Sequence, residues 1–196
     1  MKLWGAELKV EGILHRMEHV NAFDSVDRRD FLPKEYREFA DLDEPIPIYF
    51  GQTQTAPHMD GIFIDYGNPS KDESVLEIGS GTGYLTKILS LLSRTVVSIE
   101  RIPELSLSSY RNISKYGMKN IYLVTGNIYK ICFKIKFDLI LSTASFDKEP
   151  LFLRNLLNEN GRLIYPLGSS PPQRLVMFNR GKRKEIGWVS FVNIVH

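Results

Sequence analysis

The stretch Val75-Leu-Glu-Ile-Gly-Ser-Gly-Thr-Gly-Tyr84 joins a short apolar segment to an amphipathic one through three alternating glycines. Gly79, Gly81 and Gly83 can adopt backbone angles closed to other residues, and none has a β-carbon to hold a ligand away from main-chain donors. Strand, glycine turn and helix in that order make a nucleotide-cofactor loop. The spacing separates the possible cofactors. A dinucleotide loop reads G-x-G-x-x-G and seats a pyrophosphate on a helix N-terminus, whereas here the glycines alternate and Glu77 stands two residues before the first. Alternation suits S-adenosylmethionine (AdoMet), which has no phosphate. The next apolar segment, Thr95-Val-Val-Ser-Ile99, runs into Glu100, an acid placed to accept from both ribose hydroxyls.

Other reactive side chains are scattered. His15 and His19 lie four apart in a segment with helical spacing, but a zinc-protease helix carries Glu directly after its first His, and here Arg16 stands there. No metal is expected. The lone Cys132 sits in Ile131-Cys-Phe-Lys-Ile-Lys-Phe137 and reads as structural filler. A single thiol cannot form an internal disulfide, which fits a reducing, cytoplasmic setting. The run Arg180-Gly-Lys-Arg-Lys184 has no interleaved aromatic residue and reads as a charged hairpin turn rather than a nucleic-acid platform.

The elements that must position the loop follow from periodicity. Apolar residues at Val10, Ile13, Leu14 and Met17 predict a helix over 8–20. Residues 28–57 hold Pro33, Pro45, Pro47 and Pro57 among many apolar and aromatic side chains, which predicts an irregular segment packed over a site. A helix is expected over 57–66 with Met59, Ile62, Phe63 and Tyr66 on one face. Then strands at 74–78, 95–99, 120–124, 137–142 and 162–167 alternate with helices at 83–93, 103–116 and 149–158. That alternation predicts a doubly wound α/β fold with a mostly parallel sheet. The segments 173–178 and 188–192 flank Gly181 and predict a closing antiparallel hairpin.

At 196 residues and 43% hydrophobic, the chain is expected to form a single domain over 1–196, with 1–70 as an N-terminal helical and loop cap on a 71–196 core. No apolar run approaches the ~20 residues that cross a bilayer, so no membrane partner is expected. Residues 1–70 carry 13 acidic against 7 basic side chains, and residues 71–196 carry 18 basic against 10 acidic. An acidic cap against a basic core can help the two dock, and a basic core can attract an acidic substrate or RNA.

The front half sharpens the reading. The runs Ala22-Phe-Asp-Ser-Val-Asp-Arg-Arg-Asp-Phe-Leu-Pro33, Pro45-Ile-Pro-Ile48 and Gly51-Gln-Thr-Gln-Thr-Ala-Pro-His-Met59 resemble the protein-L-isoaspartate O-methyltransferase family. The likeness continues through the glycine loop, Ser98-Ile-Glu-Arg-Ile-Pro-Glu-Leu105, Phe137-Asp-Leu-Ile-Leu-Ser-Thr-Ala144 and Gly161-Arg-Leu-Ile-Tyr-Pro-Leu-Gly168. The resemblance implies an AdoMet-dependent methyltransferase fold and methylation of the α-carboxylate of L-isoaspartyl residues in damaged proteins, which starts repair through a succinimide. It implies S-adenosylhomocysteine as coproduct, isoaspartyl proteins and peptides as partners, and a monomer; a nucleic-acid partner is not expected.

Residue by residue, the resemblance puts the hydroxyl beside the methyl-transfer centre on Thr55, with Thr53 contributing nearby. Ala56, His58, Thr143, Ala144 and Ser145 are expected to bind substrate, with His58 mainly ordering its loop. Glu77, Gly79, Ser80, Gly81, Gly83, Glu100, Arg101 and Asn127 are expected to bind the cofactor. The chain also departs from the family pattern. Gly126-Asn-Ile128 stands where Gly-Asp-Gly is usual, Gln54 replaces an apolar residue, and Ser145-Phe-Asp-Lys-Glu-Pro150 replaces a small Ala-Ala-Pro run. An uncharged Asn127 is expected to lower cofactor affinity about tenfold if ~1.4 kcal/mol is lost. Two alternatives stay open on the sequence: a weakly active or binding-only relative, and a methyltransferase acting on another acceptor such as RNA.

Overall fold

A computed structural model describes residues 2–117 and 119–194. The chain opens with helices α1 (Trp4–Val10) and α2 (Met17–Asp24), continues through two 3-10 turns at Arg28–Phe31 and Lys34–Asp41, and forms a two-residue hairpin, β1 (Ile46–Pro47) with β2 (Thr53–Gln54). Helix α3 (Pro57–Gly67) leads into the core: β3 (Ser74–Ile78), α4 (Tyr84–Leu92), β4 (Thr95–Glu100), α5 (Pro103–Ser114), β5 (Ile121–Thr125) and β6 (Phe137–Ser142). A single helical turn, α6 (Leu151–Arg154), precedes β7 (Leu157–Leu167), β8 (Gln173–Asn179) and β9 (Lys182–Val189).

The last seven strands form one sheet in the order β5-β4-β3-β6-β7-β8-β9. Strands β3 to β7 pair in parallel, and β7-β8-β9 close the sheet antiparallel. All five residues of β3 are buried, as expected for a strand covered on both faces. Alternate residues divide between two apolar layers. Val75, Val96, Leu139 and Ile164 pack with Trp4, Phe23, Phe63 and Ile88, while Leu76, Val97, Ile140 and Leu163 pack with Ile128, Phe146 and Leu153. The chain runs outward from β3 to β5, then returns to β3's other side as β6, so the order reverses at the middle of the sheet. Open α/β sheets bind ligands outside the carboxyl ends of the strands at such a reversal.

Four sequence expectations are corrected. The helix predicted over 8–20 is two helices, because Gly12 takes φ +74° and Ile13 N–H donates to Leu8 O at 2.9 Å, a glycine stop. Val10 is 89% exposed in consequence. His15 therefore lies outside the helix that carries His19; the two rings meet only at Asp65, 3.0 and 3.8 Å from its oxygens. The helix predicted over 149–158 shrinks to one turn because β7 starts at Leu157. The final hairpin turns on Arg180 and Gly181, at φ +49° and +75°, so the basic cluster is half turn and half strand. Cys132 is exposed and is not core filler.

The proline-rich segment is ordered by one side chain. Arg28, 1% exposed, donates to Leu42 O and Glu44 O at 2.8 Å, Thr55 O at 3.0 Å and Ala40 O at 3.4 Å. Irregular backbone cannot satisfy its own carbonyls, and a buried guanidinium with five donors in a fixed fork can serve several at once. Tyr116 adds a second tie: its hydroxyl donates to Asp30 at 2.7 Å, and its ring stacks on Phe31 with centroids 5.7 Å apart. Arg28→Met is expected to lower stability by about 3 kcal/mol by orphaning these carbonyls, with Arg28→Lys intermediate. Urea denaturation reads this directly, and an unchanged midpoint would show that other contacts hold the cap.

Candidate active site

The carboxyl ends of β3, β4, β5 and β6 deliver Gly79, Glu100, Gly126 and Thr143 to a common cleft. Its floor is the glycine loop. Gly79 takes φ +94°, and a β-carbon there would lie 2.6 Å from Thr143 Oγ1, so both its angle and its closeness to β6 require glycine. Thr143 closes that contact by donating its hydroxyl to Gly79 O at 2.8 Å. Gly81 N–H donates to Glu100 Oε2 at 2.9 Å, and Ile102 N–H donates to Glu100 Oε1, also at 2.9 Å. Burial raises the Glu100 carboxyl, and these backbone donors oppose the rise. Apolar Ile99, Ile102, Leu105 and Ile128 wall the cleft, with Arg101 and Asn127 at its rim.

A second cleft lies against the cap. Thr55, Ala56, His58 and Met59 form one wall, and Pro172, Trp188 and residues 189–192 form the other. The first cleft spans about 760 Å³ and the second about 840 Å³, both counted together with space open to solvent. Thr53, Thr143 and Val192 border both clefts. His58 is held by Asp43, which accepts from its backbone N–H at 2.9 Å and meets Nδ1 at 3.0 Å. The far wall is fixed through Ser145, whose backbone N–H donates to Val192 O and whose backbone carbonyl accepts from Ile194 N–H, both at 2.8 Å.

Most expected site residues thus converge, but several stand apart. Gly83 caps α4 at φ +95° and faces α5, where a β-carbon would lie 2.6 Å from Ser109 Oγ. It seats helix on helix and does not reach either cleft. Ser145 is fully buried, and its hydroxyl donates to Gly168 O at 2.7 Å, so it braces the wall from behind. Asn127 borders the first cleft, but its Oδ1 is engaged, accepting from Tyr129 N–H at 3.0 Å and capping a 3-10 turn. Ser80 and Glu77 lie beneath the loop, bordering a smaller cavity with Gln54, Asp60 and Tyr84.

That small cavity holds the side chains that sequence reasoning missed. Asp60 is 1% exposed and Tyr84 is 2% exposed. Burial pushes the Asp60 carboxyl well above the carboxylate range, against the pull of Arg28, and burial likewise raises the Tyr84 phenol. Gln54, an apparent anomaly in sequence, accepts from Thr82 Oγ1 at 3.0 Å and joins the cap hairpin to the glycine loop. Glu77 Oε2 accepts from both Thr86 and Ser98 at 2.5 Å, which ties β3 to α4 and β4. Burial nonetheless raises Glu77 to about 7.

A glycine loop after the first core strand, an acid closing the second and a ligand crevice at the sheet's reversal define the class of α/β methyltransferases. Within that class the match is specific. The family model for protein-L-isoaspartate(D-aspartate) O-methyltransferase matches residues 4–196. A protein-L-isoaspartate O-methyltransferase from Pyrococcus abyssi is 37% identical over 96% of this chain and 91% of its own length. One from Fervidobacterium nodosum is 36% identical over 85% and 86%. A crystal structure from Plasmodium falciparum, assigned to the same activity and solved with S-adenosyl-L-homocysteine, superposes with a TM-score of 0.86 at 28% identity, covering 98% of this chain and 96% of that one. The chain belongs to the protein-L-isoaspartate(D-aspartate) O-methyltransferase family.

The buried Glu77 has a testable signature. In an unfolded chain it titrates near its ordinary 4.5, and in the folded protein near about 7, so between those values the folded state binds the extra proton. Its contribution to stability is full below 4.5 and is lost as pH rises through about 7. Glu77→Gln is expected to flatten the fall in urea midpoint between pH 5 and pH 8, measured as a pH series on both proteins. An identical slope in the variant would mean that Glu77 stays ionised in the fold.

Proposed function

We propose that this chain transfers a methyl group from AdoMet to the α-carboxylate of L-isoaspartyl residues in polypeptides, the step that starts their repair through a succinimide. The meeting of two clefts at Thr53, Thr143 and Val192 carries the reading: one cleft suits a nucleoside donor, and the other opens toward a polypeptide acceptor. Family membership makes that acceptor an isoaspartyl residue.

The first cleft passes a test of fit for AdoMet. Glu100 presents a buried carboxylate between apolar walls, and Gly81 leaves open backbone beside it, with its β-carbon position 3.6 Å from Ile48. Each Glu100 oxygen has a lone pair beyond the one its backbone donor uses, so Glu100 would accept from the ribose hydroxyls without surrendering its hold on the loop. Gly79 and Gly81 would line the methionine end, and Ile99, Ile102 and Ile128 would flank the base near Asn127. AdoMet, when bound, supplies a methyl group activated on a positively charged sulfur.

The protein's own residues do the rest by position. A free carboxylate has a reference pKa of about 3.5–4, so the acceptor is already ionised at pH 7 and needs no general base. Thr53 and Thr55 would donate to one carboxylate oxygen and leave the other directed at the donor cleft. His58, oriented by Asp43, orders the acceptor loop. Ile48 lines the first cleft and Val192 borders both, apolar surface that would help keep water from the reacting atoms. The chain is read as one domain over 1–196 acting as a cytoplasmic monomer. The exposed Cys132 thiol suits a reducing compartment, and no helix among the described residues is long and apolar enough to cross a membrane.

Incubation with radiolabelled AdoMet and two peptides that differ only in isoaspartate against aspartate is expected to give base-labile methyl ester on the isoaspartyl peptide alone. Absence of label on both, with the protein folded, would favour a binding-only relative or another acceptor. Glu100→Ala is expected to weaken AdoMet binding by about 1.5–3 kcal/mol, the range for charged hydrogen bonds; calorimetry showing no change would remove it from the cofactor site. Thr55→Val is expected to cut kcat more than AdoMet affinity. Equal turnover would confine Thr55 to shaping the loop.

A further inference from the structure

The acceptor cleft has a wall that the methyl-transfer geometry leaves unused. Trp188 is 63% exposed yet lines that cleft beside Pro172, across from Thr55 and His58. Large aromatic side chains left in water cost hydration without contributing to the core, and scattered ones need no explanation, but this one borders a site and is held in place. The Arg174 guanidinium stacks over its ring at 4.6 Å. Arg174 is in turn ion-paired to Glu185, which also takes Arg183 at 2.9 Å. Arg174 and Trp188 are direct cross-strand partners on β8 and β9, so the ring is braced by both its strand and its stacking partner. A braced aromatic surface loses little side-chain freedom on binding.

We infer that Trp188 and Pro172 form a platform for the residue adjoining the acceptor in the polypeptide substrate, so that a bulky apolar or aromatic neighbour is favoured. The occupant follows from continuity. A polypeptide whose reacting carboxylate sits at Thr53 and Thr55 must leave along the cleft that these residues share with Trp188, and its next side chain meets an indole and a proline ring. Offset or edge contact between aromatic rings contributes about 0.5–1.5 kcal/mol, or roughly a threefold to tenfold preference. This platform rests on the proposed isoaspartyl activity.

The test uses isoaspartyl peptides identical except for Phe or Gly on the N-terminal or C-terminal side of the damaged residue. For the native enzyme, kcat/KM is expected to favour the Phe peptide on one side by roughly threefold to tenfold, with the difference in KM. In Trp188→Ala that ratio is expected to fall to about one, whereas a merely structural role would lower both peptides together and leave the ratio intact. A native ratio of one, or a ratio retained in the variant, overturns the platform. Binding is read separately by fluorescence. Of the two tryptophans, Trp4 is 2% exposed and Trp188 63%, so the Phe peptide is expected to shift emission to shorter wavelength in the native protein and not in Trp188→Phe. If no peptide is methylated, the repair reading fails, and the emission shift alone then decides the platform: a shift with the Phe peptide supports it, and its absence overturns it.

Discussion

The buried Arg28 guanidinium is the interaction on which the rest of the site depends. Its four carbonyl partners are Ala40 at the end of a 3-10 turn, Leu42 and Glu44 in the irregular segment after it, and Thr55. The first three shape the cap, and the last fixes the backbone whose side chain faces the acceptor cleft. A single charge thus ties the loop of the cap to the backbone that leads out of its hairpin. It is tolerable in the interior because carbonyl dipoles surround it and Asp43, Asp60 and Tyr84 lie near enough to act on it. Buried charges persist only where hydrogen bonds and opposite charge compensate their lost hydration.

Around that anchor the protein separates two tasks. The sheet and its glycine loop make the donor cleft from backbone, held by Glu100 and Thr143 before any ligand arrives. The cap and the irregular segment following β9 make the second cleft, largely from side chains. Gln54 to Thr82 is the joint between the halves. Because that joint is a direct hydrogen bond, and Thr53 and Thr143 border both clefts, placement of one cleft constrains placement of the other. Alignment of this kind is what a reaction without a general base requires.

The core was legible because its signals are local. Alternating apolar strands and helices put β3, β4 and β6 within a residue of expectation, and Gly79, Gly81 and Glu100, paired from the sequence, meet at one cleft. What escaped was set by tertiary partners. Arg28 looks like any surface arginine until the carbonyls of residues 40–55 fold around it. Asp60 on an apolar helix face gives no hint of its burial. Gln54 looked like a departure from pattern and is a joint. The broken first helix was readable at Gly12, where apolar spacing on either side outweighed a glycine stop. Gly83 shared the spacing of its neighbours, yet its contacts go to α5, a distinction made only by packing.

The outermost strand, β9, exposes Lys182, Arg183, Lys184 and Glu185 in succession, along an edge with no partner strand on its outer side among the described residues. An unpaired row of backbone donors and acceptors is a template for any loose chain that meets it, and aged, partly unfolded polypeptides are rich in such chains. Consecutive charges on that edge make indiscriminate strand addition costly, since joining there would strip water from several ammonium and guanidinium groups. Past Glu185 the charges stop, and Trp188 and Val189 at the end of the same strand border the cleft. The charged edge thereby guards the fold against strand addition by the very polypeptides it acts on, and that guard ends where the strand borders the cleft.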